Sequence, residues 1–423
     1  MEKHSYKTIN LDVYEEVLDN GLRVYISKIP RNNIHARMTT FFGGGILNYK
    51  VDGKTYKVPA GIAHFLEHKM FEKEDGIDPM LVYEKNGAIS NAYTNKFVTA
   101  YYFTGANYFY ENLENLLNTI HKPYFTDENV QKEKGIILQE KKQSLDRPYT
   151  IAYNECLLNT FYNSDYKNTV LGSLDDINSI TKEQLYDCYN AFYHPSNMML
   201  TISGDVDINK TMKFIKKYYS NMVFLDRPNI EILKASEPKE VVKDKEVLIK
   251  KDFSAKYIYI NYKIKNNHFF EDAYLNRLYF SIFIDMGFGN LSSIVDVLDN
   301  DDNMLSTLSA TMEELDGYFI ASFFCKVKNN TDVIDLIDKT IKSTDFSEES
   351  FNLIKKVTLN QILLSTEDTK SACDLIQNQV LLLKAPVYDM YEKLQKLDFN
   401  TFKDYVKNLD ITNRSYVVLQ NKN

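Results

Sequence analysis

The sequence contains few cysteines, and their spacing excludes two classes of protein. Cys156, Cys188, Cys325 and Cys373 are the only ones in 423 residues, and no two of them form a Cys-x-x-Cys pair. A zinc knuckle needs such pairs, and a secreted domain held by disulfides needs more cysteines at closer spacing. We therefore expect four ordinary thiols that are buried or half-buried.

Long apolar runs and an excess of basic residues are also missing. No apolar run approaches the length of a membrane span, and the segment from Met1 to Thr8 is polar, unlike the apolar core of a signal peptide. We therefore expect no membrane span and a cytoplasmic location. A nucleic-acid-binding protein needs a basic face, whereas the formal net charge here is −8, so we expect no nucleic-acid partner.

Length and composition indicate a globular chain with more than one domain. A chain of 423 residues is too long for one ordinary core, and 44% hydrophobic with 26% charged residues is typical of a globular protein. Prolines and scattered charges between residues 225 and 245 are typical of a linker. We predict a first domain at 1–224, a linker at 225–245 and a second domain at 246–423. The strand and helix patterns of the two halves follow a similar order, which suggests a duplication.

The stretch from Ala60 to Phe71 has the strongest functional signal. His64 and His68 are four residues apart, so on a helix both rings project from one face, and Glu67 joins them there. Two neutral imidazoles suit Zn²⁺, and a carboxylate beside them can act as a general base. The alternative is a purely structural histidine pair on a half-buried helix.

A catalytic zinc usually has a third protein ligand, and the segment from Thr126 to Leu145 offers candidates. Its acidic start and apolar stripe predict a helix. Glu133 and Glu140 lie seven residues apart on it, which is two turns along one face. Either glutamate can reach the metal while the other supports a ligand, although a solvated acidic face would have the same pattern.

The order His-x-x-Glu-His, followed by Glu-Lys-Gly-Ile-Ile-Leu-Gln-Glu from Glu133, resembles the pitrilysin or insulinase-type (inverzincin) zinc metallopeptidases. This family includes the mitochondrial processing peptidases, and the resemblance is to its short bacterial members. It extends over nearly the whole chain, through Asn20 to Val24, Asn86 to Thr94 and Tyr193 to Met198. We expect an α+β fold with two structurally similar domains, each a mostly antiparallel sheet packed with helices.

The resemblance implies a role for each residue of the motifs. It makes His64, His68 and Glu140 the zinc ligands, Glu67 the general base and Glu133 a supporting carboxylate. The second half has no His-x-x-Glu-His, so it should be an inactive, supporting domain.

The resemblance also implies how substrate binds. In the family, the strand that follows the histidine helix borders the active site and pairs with the extended backbone of the substrate. We expect Ala88, Asn91 and Ala92 to lie at this strand. An ordinary hairpin with Asn91 in a turn is the alternative.

The second half lacks an Arg and a Tyr that many relatives use, and their absence bears on whether this chain needs a partner subunit. In many relatives the second domain, or a partner subunit, supplies an Arg and a Tyr that help to bind substrate, but the segment from Gly287 to Ser306 contains neither. The resemblance therefore implies that a related, zinc-lacking subunit completes a heterodimer, with a homodimer as the alternative.

We expect a zinc-dependent endopeptidase that hydrolyses unfolded peptides. Clearance of oligopeptides and maturation of a precursor or leader peptide both fit. The alternative from another class is a non-catalytic peptide-binding or scaffold subunit on the same fold. The intact motif weighs against that alternative.

Overall fold

A computed structural model describes residues 1–242, 246–329, 331–343 and 345–422. The chain divides into two compact units, each made of three segments. Unit 1 comprises Met1–Lys141, Thr169–Lys234 and Gln361–Tyr391. Unit 2 comprises Lys142–Asn168, Ala235–Asn360 and Glu392–Asn423.

Strands and helices are numbered in chain order. The strands are β1 (Glu2–Tyr6), β2 (Leu11–Val17), β3 (Arg23–Lys28), β4 (Ile34–Thr40), β5 (Asn48–Val51), β6 (Lys54–Lys57), β7 (Ile89–Thr94), β8 (Thr99–Gly105), β9 (Met198–Gly204), β10 (Ile230–Ile232), β11 (Glu246–Lys251), β12 (Lys256–Lys265), β13 (Ser309–Leu315), β14 (Tyr318–Val327) and β15 (Arg414–Asn421). The helices are α1 (Ile62–Lys69), α2 (Pro79–Lys85), α3 (Phe109–His121), α4 (Asp127–Ser144), α5 (Pro148–Thr160), α6 (Leu174–Ser179), α7 (Lys182–Phe192), α8 (Ile208–Ser220), α9 (Ala273–Phe288), α10 (Ser293–Asp299), α11 (Val333–Ile341), α12 (Glu348–Leu364), α13 (Thr369–Leu383), α14 (Met390–Gln395) and α15 (Phe399–Lys407).

Each unit is built on a sheet, and the two sheets share one topology. The sheet of unit 1 has the order β1-β2-β3-β9-β4-β8-β7, and the sheet of unit 2 has the order β11-β15-β12-β14-β13. The five strands from β3 to β7 in the first order correspond to the five of the second. In each set one pair of neighbours is parallel, β3 with β9 and β11 with β15, and the other neighbours are antiparallel. The predicted α+β fold with two similar, mostly antiparallel domains is confirmed. Strand β7 is an edge strand of unit 1, and β13 is its counterpart in unit 2.

The two halves of the chain exchange helices, so the compact units do not follow the predicted division of the chain. Helix α5, from the first half, packs on β12 and β15 in unit 2. Helix α13, from the second half, packs on β4 and β9 in unit 1. The chain passes from unit 1 to unit 2 after Lys234, inside the predicted linker. Domains at 1–224 and 246–423 would assign both helices to the wrong sheet, because their apolar faces are buried by strands distant in sequence.

A buried polar network holds α13 on the sheet of unit 1. The guanidinium of Arg37 on β4 is buried and lies 2.6 Å from Asp374 Oδ1. Gln377 Oε1 accepts hydrogen bonds from Arg37 at 3.2 Å and Thr39 at 2.8 Å. Gln377 Nε2 donates to the hydroxyl of Tyr93 on β7 at 2.7 Å. A buried charge needs such compensation, and the network also fixes one face of the edge strand.

Within the described residues, the stretch 273–299, which contains α9 and α10, is long and apolar enough to pass a length-and-composition test for a membrane span. In the most apolar 18 residues of this stretch, 61% are buried within the protein. This is weak evidence for a span, because a helix in a protein core passes the same test.

The start of α1 depends on two glycines that pack against each other. Gly61 precedes the helix with φ of +91°, and an added Cβ would lie 2.4 Å from the carbonyl oxygen of Leu171. Gly172 has φ of +76°, and its Cβ would lie 2.2 Å from the carbonyl oxygen of Ala60. Only glycine fits both the left-handed backbone and the close approach.

We predict that Gly61→Ala lowers the free energy of unfolding by about 3 kcal/mol or more, through strain at positive φ and the clash with Leu171. Gly53→Ala is the matched control, because Gly53 has φ of +84° and nothing lies within 4 Å of its added Cβ. We expect it to cost only about 1 kcal/mol. Urea denaturation of both variants measures the difference, and equal losses would contradict the packing argument.

Candidate metal centre

Helix α1 carries the histidines on a scaffold that is buried on its other side. Ile62, Phe65 and Leu66 are buried in the core of unit 1. The helix packs against β7 and β8. His64 and His68 project from the remaining face with their ring centroids 4.6 Å apart.

Helix α4 begins at a reciprocal cap. Thr126 Oγ1 accepts from the backbone N–H of Asn129 at 3.1 Å, and Asn129 Oδ1 accepts from that of Thr126 at 2.9 Å. Val130 and Ile137, seven residues apart, are buried. This burial sets the rotation of the helix and turns the glutamates three residues further on toward α1.

A buried lysine joins α1 to α4. Lys69 Nζ donates to the carbonyl oxygen of Asn129 at 3.3 Å and pairs with Glu72. The sequence interpretation missed this residue. A lysine on the last turn of a half-buried helix was the available signal, because a buried ammonium needs partners.

The structure brings His64, His68 and Glu140 together. Glu140 Oε2 lies 3.8 Å from His64 Nε2 and 3.7 Å from His68 Nε2. One candidate ligand atom from each of the three residues lies within 4.8 Å of the others. Two ring nitrogens and one carboxylate oxygen therefore converge on one point.

Glu133 contacts the second nitrogen of His68. Its Oε1 lies 2.9 Å from His68 Nδ1. A carboxylate can only accept, so Nδ1 carries the proton and donates it. In neutral His68 this leaves Nε2 with a free lone pair on the side of Glu140. The two glutamates thus occupy different places: Glu140 faces both rings, and Glu133 orients one of them.

The protonation states favour metal binding at His64. Burial and the neighbouring His68 lower the pKa of His64 to about 3, so its ring is neutral at pH 7. Burial also acts to lower the pKa of His68, but the hydrogen bond and charge of Glu133 raise it overall. Burial acts to raise the pKa of Glu133, and the hydrogen bond to His68 lowers it overall.

The candidate base is held by a residue that the sequence interpretation did not single out. Glu67 is buried, and its Oε2 accepts a hydrogen bond from Thr94 Oγ1 at 2.5 Å. Burial raises the pKa of Glu67, and the bond from Thr94 acts in the opposite direction. Strand periodicity was the available signal, because Thr94 shares a face of β7 with Ala92.

A cavity of about 660 Å³ opens beside these side chains. Glu67, His68 and Glu133 line it together with Asn91 and Ala92 on β7. Two of the three predicted substrate-binding residues thus border the cavity. The third, Ala88, is buried just before β7 begins, and it is not among the described residues that line the cavity.

The residues present fit a zinc ion. Zn²⁺ takes neutral imidazole nitrogens and carboxylate oxygens, and three protein ligands with one open position are typical of a catalytic site. His64 is neutral at pH 7, His68 can present Nε2, and Glu140 is partly exposed on the open side. His64 Nδ1 is buried with no hydrogen-bond partner among the described residues, so nothing there opposes a metal on Nε2.

We predict that Glu133→Gln weakens zinc binding by about 10- to 100-fold, because an amide cannot provide the charge that orients His68 Nδ1–H. Zinc competition against a chromophoric chelator measures this change. Glu128→Gln is the matched control, because Glu128 is an exposed glutamate on the same helix. Equal affinities of the two variants would remove Glu133 from the supporting role.

Two family descriptions match consecutive parts of the chain. Residues 55–173 match the family described as insulinase (peptidase family M16). Residues 179–358 match the domain described as the peptidase M16 inactive domain. The histidine helix and α4 lie in the first match, and the half without the motif supplies most of the second.

Curated relatives carry peptidase names. An uncharacterized zinc protease of Bacillus subtilis (strain 168) is 37% identical over 252 residues, which are 58% of this chain and 56% of that protein. The beta subunit of the mitochondrial-processing peptidase of Rattus norvegicus is 27% identical over 223 residues, 51% of this chain and 43% of that protein. The chain thus spans about half the length of the curated relatives that it matches.

A solved structure matches along nearly the whole length. A putative M16-like peptidase from Alicyclobacillus acidocaldarius is similar with a TM-score of 0.90 and 26% identity. The match covers 97% of this chain and 99% of that one. The fold of this chain is therefore similar to one already seen in a crystal.

Proposed function

Because the chain belongs to the insulinase-type M16 peptidase family, we propose that it is a zinc-dependent endopeptidase that hydrolyses unfolded peptides. One observation carries the proposal: Glu67 and His68 line a cavity together with the edge strand β7, and His64 and Glu140 converge with His68 beside it. Ligands, base and a docking strand thus meet at one place.

His64, His68 and Glu140 would hold the metal. When bound, zinc would polarise the scissile carbonyl and make a water molecule more acidic. Glu67 accepts a proton from that water molecule while the oxygen of the water attacks the carbonyl carbon. The proton then passes from Glu67 to the nitrogen of the breaking C–N bond, and the products are an amine and a carboxylic acid, which loses its remaining proton to solvent. Burial of Glu67 supports this role, because a raised pKa brings a carboxylate nearer to the working pH.

Strand addition is the proposed mode of substrate binding. Among the strands of the described residues, β7 pairs with β8 alone, and Ile89 and Asn91 on it are exposed. An extended peptide can pair with the outer edge of β7 at Asn91 and Ala92, where it would replace Asn91 Oδ1 as the acceptor of the Ala92 N–H, now 2.8 Å away. Such pairing makes little demand on the sequence of the peptide. This mode favours unfolded peptides over folded proteins. Clearance of oligopeptides and maturation of a precursor or leader peptide both remain consistent with it.

The heterodimer is part of the proposal. The segment from Gly287 to Ser306 has neither the Arg nor the Tyr that substrate binding uses in many relatives. One relative is named as a beta subunit, which supports a two-subunit enzyme. We propose that a related subunit without zinc supplies both residues. A homodimer is the alternative.

Mass spectrometry of a mixed pool of unstructured peptides tests the function. The zinc-loaded chain, alone and with candidate partner subunits, is compared with its Glu67→Gln variant. Cleavage that requires Glu67 supports the peptidase, and a large gain with a partner supports the heterodimer. Equal rates with and without any partner would contradict the heterodimer. A chain that binds no zinc and cleaves nothing with a partner would favour the scaffold alternative.

A further inference from the structure

The carboxylate of Glu67 has a single hydrogen-bond partner among the residues that the structure describes. Its Oε2 accepts from Thr94 Oγ1 at 2.5 Å. Glu67 is only 8% exposed, so bulk water cannot readily replace this partner. A short hydrogen bond to a charged oxygen is strong and directional. It selects one orientation of the carboxylate and leaves Oε1 available on the other side.

The hydroxyl of Thr94 lies beside the hydroxyl of Thr99 on β8. Thr94 Oγ1 lies 3.1 Å from Thr99 Oγ1. Thr99 Oγ1 donates to the carbonyl oxygen of Phe42 at 2.9 Å. An ionised carboxylate can only accept, so Thr94 gives its one proton to Glu67, and Thr99 gives its own to Phe42.

The turn after Thr94 is rigid. Asn95 Oδ1 accepts from the backbone N–H groups of Phe97 at 2.8 Å and Val98 at 2.9 Å. The Asn95 carbonyl accepts from the N–H of Gly44 at 2.8 Å. A Cβ on Gly43 would lie 2.5 Å from the backbone of Phe97, so the two segments are in close contact. Thr94 is therefore held at the end of β7 by contacts on both sides of the turn.

Side chains alternate between the two faces of β7, which places the contact between Thr94 and Glu67 on the face of the strand that borders the cavity. Ala92 lines the cavity, and Thr94, two residues later, projects from the same face of the strand. We propose that Thr94 is a positioning residue that orients the Glu67 carboxylate and ties it to the strand that docks substrate. The proposal rests on the function proposed above, in which Glu67 is the general base.

Two substitutions of Thr94 distinguish an orienting role of its hydroxyl group from a packing role of its methyl group. Thr94→Val removes the hydroxyl and keeps the shape, whereas Thr94→Ser keeps the hydroxyl and removes a methyl group. We expect kcat of Thr94→Val to fall about 10-fold or more with KM within about twofold, because proton transfer needs an aligned base. We expect Thr94→Ser to lose no more than about threefold. A packing role predicts the opposite order, with the serine variant the weaker enzyme, and that result would overturn the proposal.

A second measurement does not depend on peptide cleavage. Cobalt(II) binds in place of zinc, and its visible absorption bands respond to groups around the His64, His68 and Glu140 site. Thr94→Val should shift these bands toward those of Glu67→Gln, and Thr94→Ser should leave them close to the parent spectrum. Parent-like bands in Thr94→Val, or equal shifts in both variants, would overturn the proposal. If the parent chain cleaves no peptide, the proposed function fails while this measurement still decides the role of Thr94.

Discussion

Glu67→Gln is expected to lower kcat for peptide hydrolysis by about 10²- to 10⁴-fold, because an amide cannot accept the proton of the attacking water. The variant should still bind one zinc per chain, since His64, His68 and Glu140 are unchanged. Steady-state kinetics and metal analysis of the same preparation measure both quantities. Glutamine has nearly the shape of glutamate and can still accept from Thr94, so little change in folding should accompany the loss.

Glu74→Gln is the matched control for this experiment. Glu74 is exposed in the loop between α1 and α2 and does not line the cavity beside Glu67. Its substitution removes the same charge at a nearby place and should change kcat by less than about twofold. Activity of Glu67→Gln equal to that of Glu74→Gln would exclude Glu67 as the base.

His64→Ala is expected to lose stoichiometric zinc and measurable cleavage together. One of three protein ligands disappears, and each ligand contributes several kcal/mol, so zinc affinity should fall by about 10³-fold or more. Isothermal titration with zinc and the peptide assay measure the two losses. Excess zinc should restore little activity. With only two protein ligands left, a four-coordinate zinc would have two open positions, and the place of the attacking water would no longer be fixed.

His268→Asn controls for the removal of a histidine. His268 is exposed in unit 2 with φ of +49°, a conformation that asparagine tolerates. It should keep both zinc and activity. If His64→Ala also bound one zinc per chain with parent affinity, His64 would not be a ligand. The two variants of α1 therefore separate metal binding from proton transfer.

Local patterns in the sequence were sufficient to predict α1 and α4. The His64 and His68 spacing depends only on helix geometry, and the predicted segment from Ala60 to Phe71 contains the observed Ile62–Lys69. The start of α4 was predictable for a similar reason, since Thr126 and Asn129 cap it through side chains three residues apart. Such interactions involve neighbours along the chain.

The roles of Glu133 and Glu140 could not be separated by spacing alone. Both lie on one face of α4, and either could have met the metal. The structure separates them through the packing of α4 against α1, where Glu133 bonds to His68 Nδ1 and Glu140 lies near both Nε2 atoms. Only the resemblance to a family distinguished them earlier.

Contacts between distant segments were also beyond the sequence patterns. Thr94 and Glu67 are 27 residues apart, and no periodicity links a strand to the helix across from it. Gln377 and Tyr93 are 284 residues apart. The amphipathic pattern of α13 shows that one face is buried, but it does not show which sheet buries that face.

The exchange of α5 and α13 makes the two halves of the chain depend on each other for folding. A fragment that stopped at Lys234 would carry α5 without the strands that cover it, and would leave β4 and β9 bare where Ala372, Ile376 and Val380 now pack. Bare apolar faces aggregate. Deletion of the second half of the chain would therefore remove part of unit 1. The half without the His-x-x-Glu-His motif therefore cannot be removed without uncovering the sheet of unit 1.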